Sequence, residues 1–350
     1  MRNTTRVAFN SYLAQQAALN SVDESTVRDG KAFSIDPSVQ QVLIDKQQES
    51  SGFLQQINIV TVPEQSGEKL GLGVSGPLAS RTDTTQRDRQ TVDPSTMDAD
   101  RFQTRQTNTD THMRYSKIDY WSKFKDFQNR IRAQIVQQQA RDRIMIGFNG
   151  TSAAAQTNRV ANPLLQDVNV GWLEKIRLNR PTHVFAERAK ADGKIIIDPA
   201  GAGDYRNLDA LVYDAIHSFL PEWAKQDGGL TCIVGDGLLH EKYFPMVDRE
   251  EKPSERLALE VLMAKKELGG RQAGRVPFMR PASILITPLD NLSIYEHEGT
   301  RRRTIVDNAK RDQVETYESV NEDYVVENHD FALLIENIQI GATEEEGAGA

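Results

Sequence analysis

The sequence predicts an α+β protein organised around one long helix, with an extended polar arm before it and a compact α/β lobe after it. Three observations carry this. Ser116 to Ile146 contains no Gly or Pro, so no residue in it breaks a helix. Residues 64–115 are rich in Thr, Gln and charge and poor in apolar side chains. Across 205–295, amphipathic stretches alternate with short apolar runs, as in a helix-and-strand layer structure.

In the long helix, Ile118, Trp121, Phe124, Phe127, Ile131 and Ile135 recur at three- and four-residue steps and form one stripe. Ser116 and Asp119 resemble a capping box, and Gly147 and Gly150 supply the stop. A rod of that length measures about 45 Å. Its later turns are polar, with Gln137, Gln138, Gln139, Arg141, Asp142 and Arg143. The pattern fits a long core helix and equally a spine laid across an extended subunit.

Residues 1–31 read as a separable appendage. Val7, Tyr12, Leu13, Ala17 and Leu19 suggest a short amphipathic helix, and the polar, acidic run 21–31 is expected not to pack. Asp36-Pro37 opens a second helix with Val39, Val42 and Leu43 as its apolar positions, followed by a strand over 57–62 that Pro63 closes. Leu70, Leu72 and Val74 alternate with Lys69, Gly71 and Gly73 as a half-exposed strand. Residues 81–100 are almost wholly polar, and 101–115 read as a strand returning along the first. Such a ribbon is marginal alone in water, so it is either a disordered loop or an arm ordered by a neighbouring subunit.

Beyond the long helix, helices are expected at 162–177, 204–219 and 254–268. Strands are expected at 184–186, 195–197, 230–234, 282–287, 292–295, 312–317, 323–327 and 332–340, and the tail 343–350 is acidic.

Composition narrows the function. The chain has 350 residues, 38% of them hydrophobic, which suffices for one large or two moderate cores. The formal net charge of −8 opposes a surface built to hold phosphate backbones. Cys232, the single cysteine, excludes an intramolecular disulfide and reads as a small core residue. The opening MRNTTRVAFN has no apolar run of signal-peptide length, and no stretch approaches membrane-spanning length.

Motifs for catalysis fail on their own chemistry. Gly71, Gly73 and Gly76 satisfy G-x-G-x-x-G, but Pro77 and a polar stretch follow where a helix must open onto the phosphates. His240-Glu241 begins like a zinc-protease helix, yet Phe244 stands where the second histidine belongs. Gly73-Val74-Ser75-Gly76 lacks the last glycine of a nucleophile elbow. The six histidines are scattered, with His217 read as a helix-face residue, and Arg301 to Arg303 read as a salt-bridged turn beside Glu296, Glu298 and Asp307. No catalytic, cofactor or metal residues are therefore assigned. What remains is structure that reaches beyond one subunit, which argues for assembly.

From RVAFNSYL to YESVNEDYVVE, the chain resembles the major capsid proteins of P2-like tailed bacteriophages, which have the HK97-type capsid fold. QESSGFLQQINIV, GEKLGLGVSGPLASRTDT, DFQNRIR, GFNG, NPLLQDVNVGWLEK, LDALVYDA, KYFP, LDNLSIY and NEDYVVE carry the likeness. The departures lie in 81–92, in 182–203 and at the extreme C-terminus.

The resemblance implies a segment plan: 1–33 a propeptide-like segment, 34–63 an N-arm, 64–115 an extended β-hairpin loop, and 116–204 the spine helix with the peripheral domain. Residues 205–298 would be the α/β axial domain, 299–341 strands returning to the peripheral domain, and 342–350 a disordered tail. It implies processing near Lys31 to Ser34, with the Phe33/Ser34 bond the favoured position. Arg81, Asp83, Arg87, Asp88 and Arg89 would lie in the intersubunit arm, and Trp121, Phe124, Phe127, Ile131 and Ile135 would pack the spine helix.

The implied partners are further copies in pentamers and hexamers, an internal scaffolding prohead protease and a portal at one vertex. The shell would enclose double-stranded DNA without reading its sequence, and no cofactor and no membrane enter. Two competing readings come from other classes. One is an α/β enzyme or ligand-binding protein with a mobile flap at 64–115. The other is a nucleic-acid-binding shell protein using Arg301 to Arg303.

Overall fold

The computed structural model describes residues 1–69, 81–89, 91, 101–121, 127–189, 193–238 and 267–341. In chain order its elements are α1 (Asn3–Leu19), α2 (Glu24–Arg28), β1 (Phe33–Ser34), α3 (Pro37–Glu49), β2 (Asn58–Val62), β3 (Ser66–Glu68), β4 (Arg101–Gln103), β5 (Arg105–Asn108) and β6 (Thr111–Arg114). Next come α4 (Tyr115–Trp121), α5 (Phe127–Asn149), α6 (Trp172–Asn179), β7 (Val184–Phe185), β8 (Ile195–Ile197), α7 (Leu208–Phe219), α8 (Glu222–Lys225) and β9 (Thr231–Val234). The chain closes with β10 (Glu267–Leu268), β11 (Arg271–Arg275), β12 (Ile284–Thr287), β13 (Leu292–His297), β14 (Arg302–Asn308), β15 (Gln313–Val326), β16 (Leu333–Ile335) and β17 (Ile338–Ile340). Two compact units result, each assembled from separated parts of the chain.

The first unit comprises 1–67, 102–170 and 293–325. Its sheet runs β1-β14-β15-β13-β2, with β5 and β6 also paired to β15. β15 is the frame: its early residues pair with β14 from Arg302↔Ser319 to Asn308↔Gln313, while β5 and β6 add antiparallel to it. Asp36 caps α3 by accepting from the Ser38 backbone N–H, and Pro37 fits the first helical turn, where a missing N–H costs nothing. Phe53 and Phe148 pack with ring centroids 5.5 Å apart.

The second unit comprises 68–101, 171–292 and 326–350. Its mixed sheet runs β10-β11-β9-β12-β16-β7, and β17 pairs with β8 beside it. Ile284, Leu285 and Ile286 of β12 are fully buried, as a central strand covered on both faces requires. α7 lays Leu208, Leu211, Val212, Ala215 and Ile216 onto this core, and Asn207 caps it by accepting from the Ala210 N–H.

Several sequence expectations change. The run 21–31 does pack: it forms α2, and Val27 is buried with Leu13, Ala17 and Phe33. The helix expected over 162–177 begins only at Trp172, because Leu165 sits in the left-handed region at φ 58° and turns break the earlier part. Residues 101–115 make three strands, of which only β4 pairs back to β3, while β5 and β6 join the sheet through β15. The two strands expected at 312–317 and 323–327 are one, β15. Arg302 and Arg303 lie on a strand instead of a turn. Of the helix expected over 254–268, Glu267 and Leu268 form a strand, and 254–266 lie outside the described residues. Gly71, Gly73, Gly76, His240, Glu241, Phe244 and the tail 342–350 also lie outside them.

Candidate functional site

The most concentrated chemistry in the described residues is a buried ionic cluster inside the first unit. Glu296 on β13 is fully buried and bonds to the Arg143 guanidinium from α5. Arg301 reaches the same Glu296 oxygen at 3.2 Å and also holds Glu318 of β15 at 2.6 Å. Arg303 closes on the other Glu318 oxygen at 2.9 Å, and Glu322 lies 3.1 Å from Arg143. Three arginines thus face three glutamates, so the cluster is neutral as a whole.

Amides and a phenol add further hydrogen bonds, while Gln40 Oε1 and the Nε atoms of Arg301 and Arg303 are buried without one. Gln40 donates to Glu296 at 2.9 Å, and Arg143 donates to the Gln47 carbonyl oxygen at 2.7 Å. Gln47 in turn donates to Gln139 at 2.8 Å, and Tyr324 donates to Glu322 at 3.1 Å. The buried face of α3 is therefore Gln40, Ile44 and Gln47, spaced one helical turn apart, while Val42 is exposed.

Burial by itself would push the Glu296 carboxyl up. The adjacent Arg143 and Arg301 outweigh that, aided by hydrogen bonds from Arg143 and Gln40, and hold it at about 2. Glu318 is likewise held below its ordinary value, with Arg303 and Arg301 overcoming its burial. Burial pushes the nearby Asp142 carboxyl up, against the pull of Gln138 and Arg159. A half-open polar recess of about 620 Å³ adjoins the cluster, lined by Gln106, Asp142, Arg159 and Ser319 among others. Every acid in the cluster faces an arginine, an arrangement that locks geometry and leaves no carboxylate placed as a general base.

The residues singled out from sequence fall elsewhere. Arg81, Asp83, Arg87, Asp88 and Arg89 are exposed, and Asp83 caps a turn by accepting from the Thr85 N–H at 3.0 Å and its hydroxyl at 2.6 Å. Phe33 is buried and Ser34 exposed, paired to Arg303 and Arg302 on β14. Ile131 and Ile135 are half-buried. Phe124 and the side chains of Trp121 and Phe127 lie outside the described residues. His217 stacks on Tyr213 on the solvent side of α7. Among the described residues, no group of His, Cys, Asp and Glu could hold a metal ion, and no helix is long and apolar enough to cross a membrane.

The ion pairing expected between the Arg301 to Arg303 run and Glu296 is present at Arg301, but the burial of the cluster and its Arg143, Glu318 and Glu322 members are not read from the sequence, because glutamine, arginine and glutamate ordinarily mark solvent positions. A signal was present: Gln40 and Gln47 on one helix face, Gln139 and Arg143 at i,i+4, and Glu318 and Glu322 on one face of a strand.

Residues 8–338 match the family model described as phage major capsid protein, P2 family. The capsid protein of Escherichia phage P2 is 44% identical, covering 99% of this chain and 100% of that protein. The major capsid protein of Serratia phage KSP20 is 38% identical, again over 99% and 100%. Among solved structures, a chain of the satellite phage P4 procapsid, which includes the size determination protein, superposes with a TM-score of 0.80 at 41% identity, covering 97% of this chain and 99% of that one.

Two outcomes test the cluster. Glu296→Gln keeps the shape but removes a charge shared by Arg143 and Arg301, and should cost about 3–5 kcal/mol, read as a lower urea midpoint. The acid response has a defined sign. Because the folded state lowers Glu296 and Glu318, their contribution is present in full above the ordinary value of 4.5 and is lost as pH falls below it, for Glu296 through about 2. Urea midpoints should therefore drop across that window, Glu296 contributing on the order of 3 kcal/mol, and the slope should shrink in Glu296→Gln.

Proposed function

The chain belongs to the P2 family of phage major capsid proteins, and from that premise we propose how its parts build and mature a head. It is a structural protein of the virion with the HK97-type capsid fold, assembled in the host cell from many copies, and not an enzyme. The end-to-end agreement with a procapsid chain is the observation that carries the rest.

Copies form pentamers and hexamers of an icosahedral shell around an internal scaffolding protease, with a portal at one vertex. The first unit supplies the peripheral domain, with its long helix as the spine. Much of the second supplies the axial domain around the fivefold and quasi-sixfold axes. The arm at 64–115 lies over the adjacent subunit, which supports a segment too polar to be stable alone. Many such contacts, each weak, add through multivalency once the shell closes. The net charge of −8 suits a container for double-stranded DNA, since a basic inner wall would hold the incoming genome.

Proteolysis removes 1–33. Lys31 and Ala32 are exposed, while Phe33 is buried in β1. β1 pairs through only two residues, so freeing the Phe33/Ser34 bond for a protease needs a small local opening.

The first test is electron microscopy of the chain expressed with and without its scaffold. Closed, uniform shells that require the scaffold are expected, and a stable monomer in both conditions would overturn the assembly reading. Deleting 81–100 should leave a folded subunit that forms no closed shell; normal particles would remove the arm as a joint. The mass of the subunit in mature shells should correspond to a chain starting at Ser34, and an intact Met1 would refute processing.

A further inference from the structure

The segment proposed to be removed is not loose. α1 and α2 sit on the first unit through a small core in which Leu13, Ala17, Val27 and Phe33 are buried against Ile305 and Val314, with Tyr115 and Ile118 packed at the edge. Polar ties surround this core. Arg6 pairs with Asp307, and Arg303 donates to the Gln16 side-chain oxygen at 3.1 Å. The Arg2 N–H donates to Asp119 at 3.0 Å, and the Asp36 N–H donates to the Asn20 side chain at 3.2 Å. Gly30, at φ +67°, lets the backbone run against Val306 and the Ile305 carbonyl, covering the outer edge of β14.

We propose that residues 1–33, once cut, stay seated on the face formed by β14, β15 and α4 as a non-covalent ligand, so that cutting and release are two separate steps. The inference rests on the processing reading above. None of the contacts just named runs through the Phe33–Ser34 bond. Hydrolysis breaks that C–N bond, with water adding its oxygen to the Phe33 carbonyl carbon and a proton to the Ser34 nitrogen. It leaves a carboxylate on Phe33 and an ammonium on Ser34. In the β1–β14 register these residues stand opposite Arg303 and Arg302, so the new carboxylate arises beside two cationic residues. Phe33 departs with the peptide as its last apolar anchor, and Ser34 keeps its own pairing.

The contacts are unequal. Arg6 and Asp307 are 43% and 27% exposed, so salt screens them and their share is small. Leu13, Ala17, Val27 and Phe33 are buried, so they decide retention. Release then uncovers Ile305, Val314 and the β14 edge together.

The test uses the full chain with a specific protease sequence inserted between Lys31 and Ala32, both exposed, a more stringent case in which the piece must hold through Leu13, Ala17 and Val27 without Phe33. After complete cutting, confirmed by mass, the short piece should co-elute with the body on size exclusion and appear with it in native mass spectra. Leu13→Asp should reduce co-elution at least tenfold, and Arg6→Glu only about twofold. A folded body that elutes without the piece would overturn the proposal. Independently of any cut, Leu13→Asp in the uncut chain should speed hydrogen exchange at Ile305 to Asp307, and unchanged exchange would overturn it too. Failure of the processing reading shows separately, as Met1 retained in mature shells, and leaves the seating result standing.

Discussion

The first unit depends on placing three arginines and three glutamates out of water together. Removing such charges from water is expensive, and only close, complete pairing offsets the cost. Glu296 is the hub: Arg143 arrives from α5, Arg301 from the turn before β14, and Gln40 from α3. These residues are far apart in sequence, Arg143 and Glu296 being separated by 153 in number. The cluster therefore tolerates one arrangement of α3, α5, β13, β14 and β15, and penalises a slipped strand or a rotated helix. An apolar core of equal volume could match its stability, because it would avoid the cost of taking six charges out of water. What the ionic cluster adds is register.

Register is the property a shell subunit needs. A capsid is made of identical copies meeting neighbours at many weak joints, so an error in one subunit's geometry repeats at every joint. β15, fourteen residues long, carries that register through the unit. It pairs with all of β14 through its first half, receives β5 and β6 on its other side, and places Glu318 and Glu322 in the cluster. Residues 105–114 are thus tied to the same strand that fixes the buried charges.

Legibility in the sequence followed from how local each signal was. α7 was readable because its apolar residues recur every three or four positions and its core contacts need no distant partner to be inferred. The buried strands at 230–234 and 282–287 were readable because they are apolar throughout, as central strands are. The buried face of α3 was not, since Gln40 and Gln47 look like solvent residues until Glu296, Arg143 and Gln139 are known to stand opposite. The same blindness made the later turns of the long helix look exposed, whereas Gln139, Ala140, Arg143 and Ile144 are buried. The break before α6 depends on one left-handed leucine, Leu165, a conformation that no propensity scale anticipates. Assignment to a capsid family came from long matching strings, which hold more information than periodicity does.

The N-terminal segment shows how little of its seating is visible in composition. Composition alone made 21–31 look unable to pack, because only Val22 and Val27 are apolar there. Yet one buried valine, together with Leu13, Ala17 and Phe33, suffices to seat the segment on Ile305 and Val314. A contact of that size covers the free edge of β14, which would otherwise be open to pairing with other chains. Residues 1–33 carry fourteen apolar side chains, a share above the 38% of the whole chain, so the burial of Phe33 beside β14 completes an apolar seat that Leu13, Ala17 and Val27 already form.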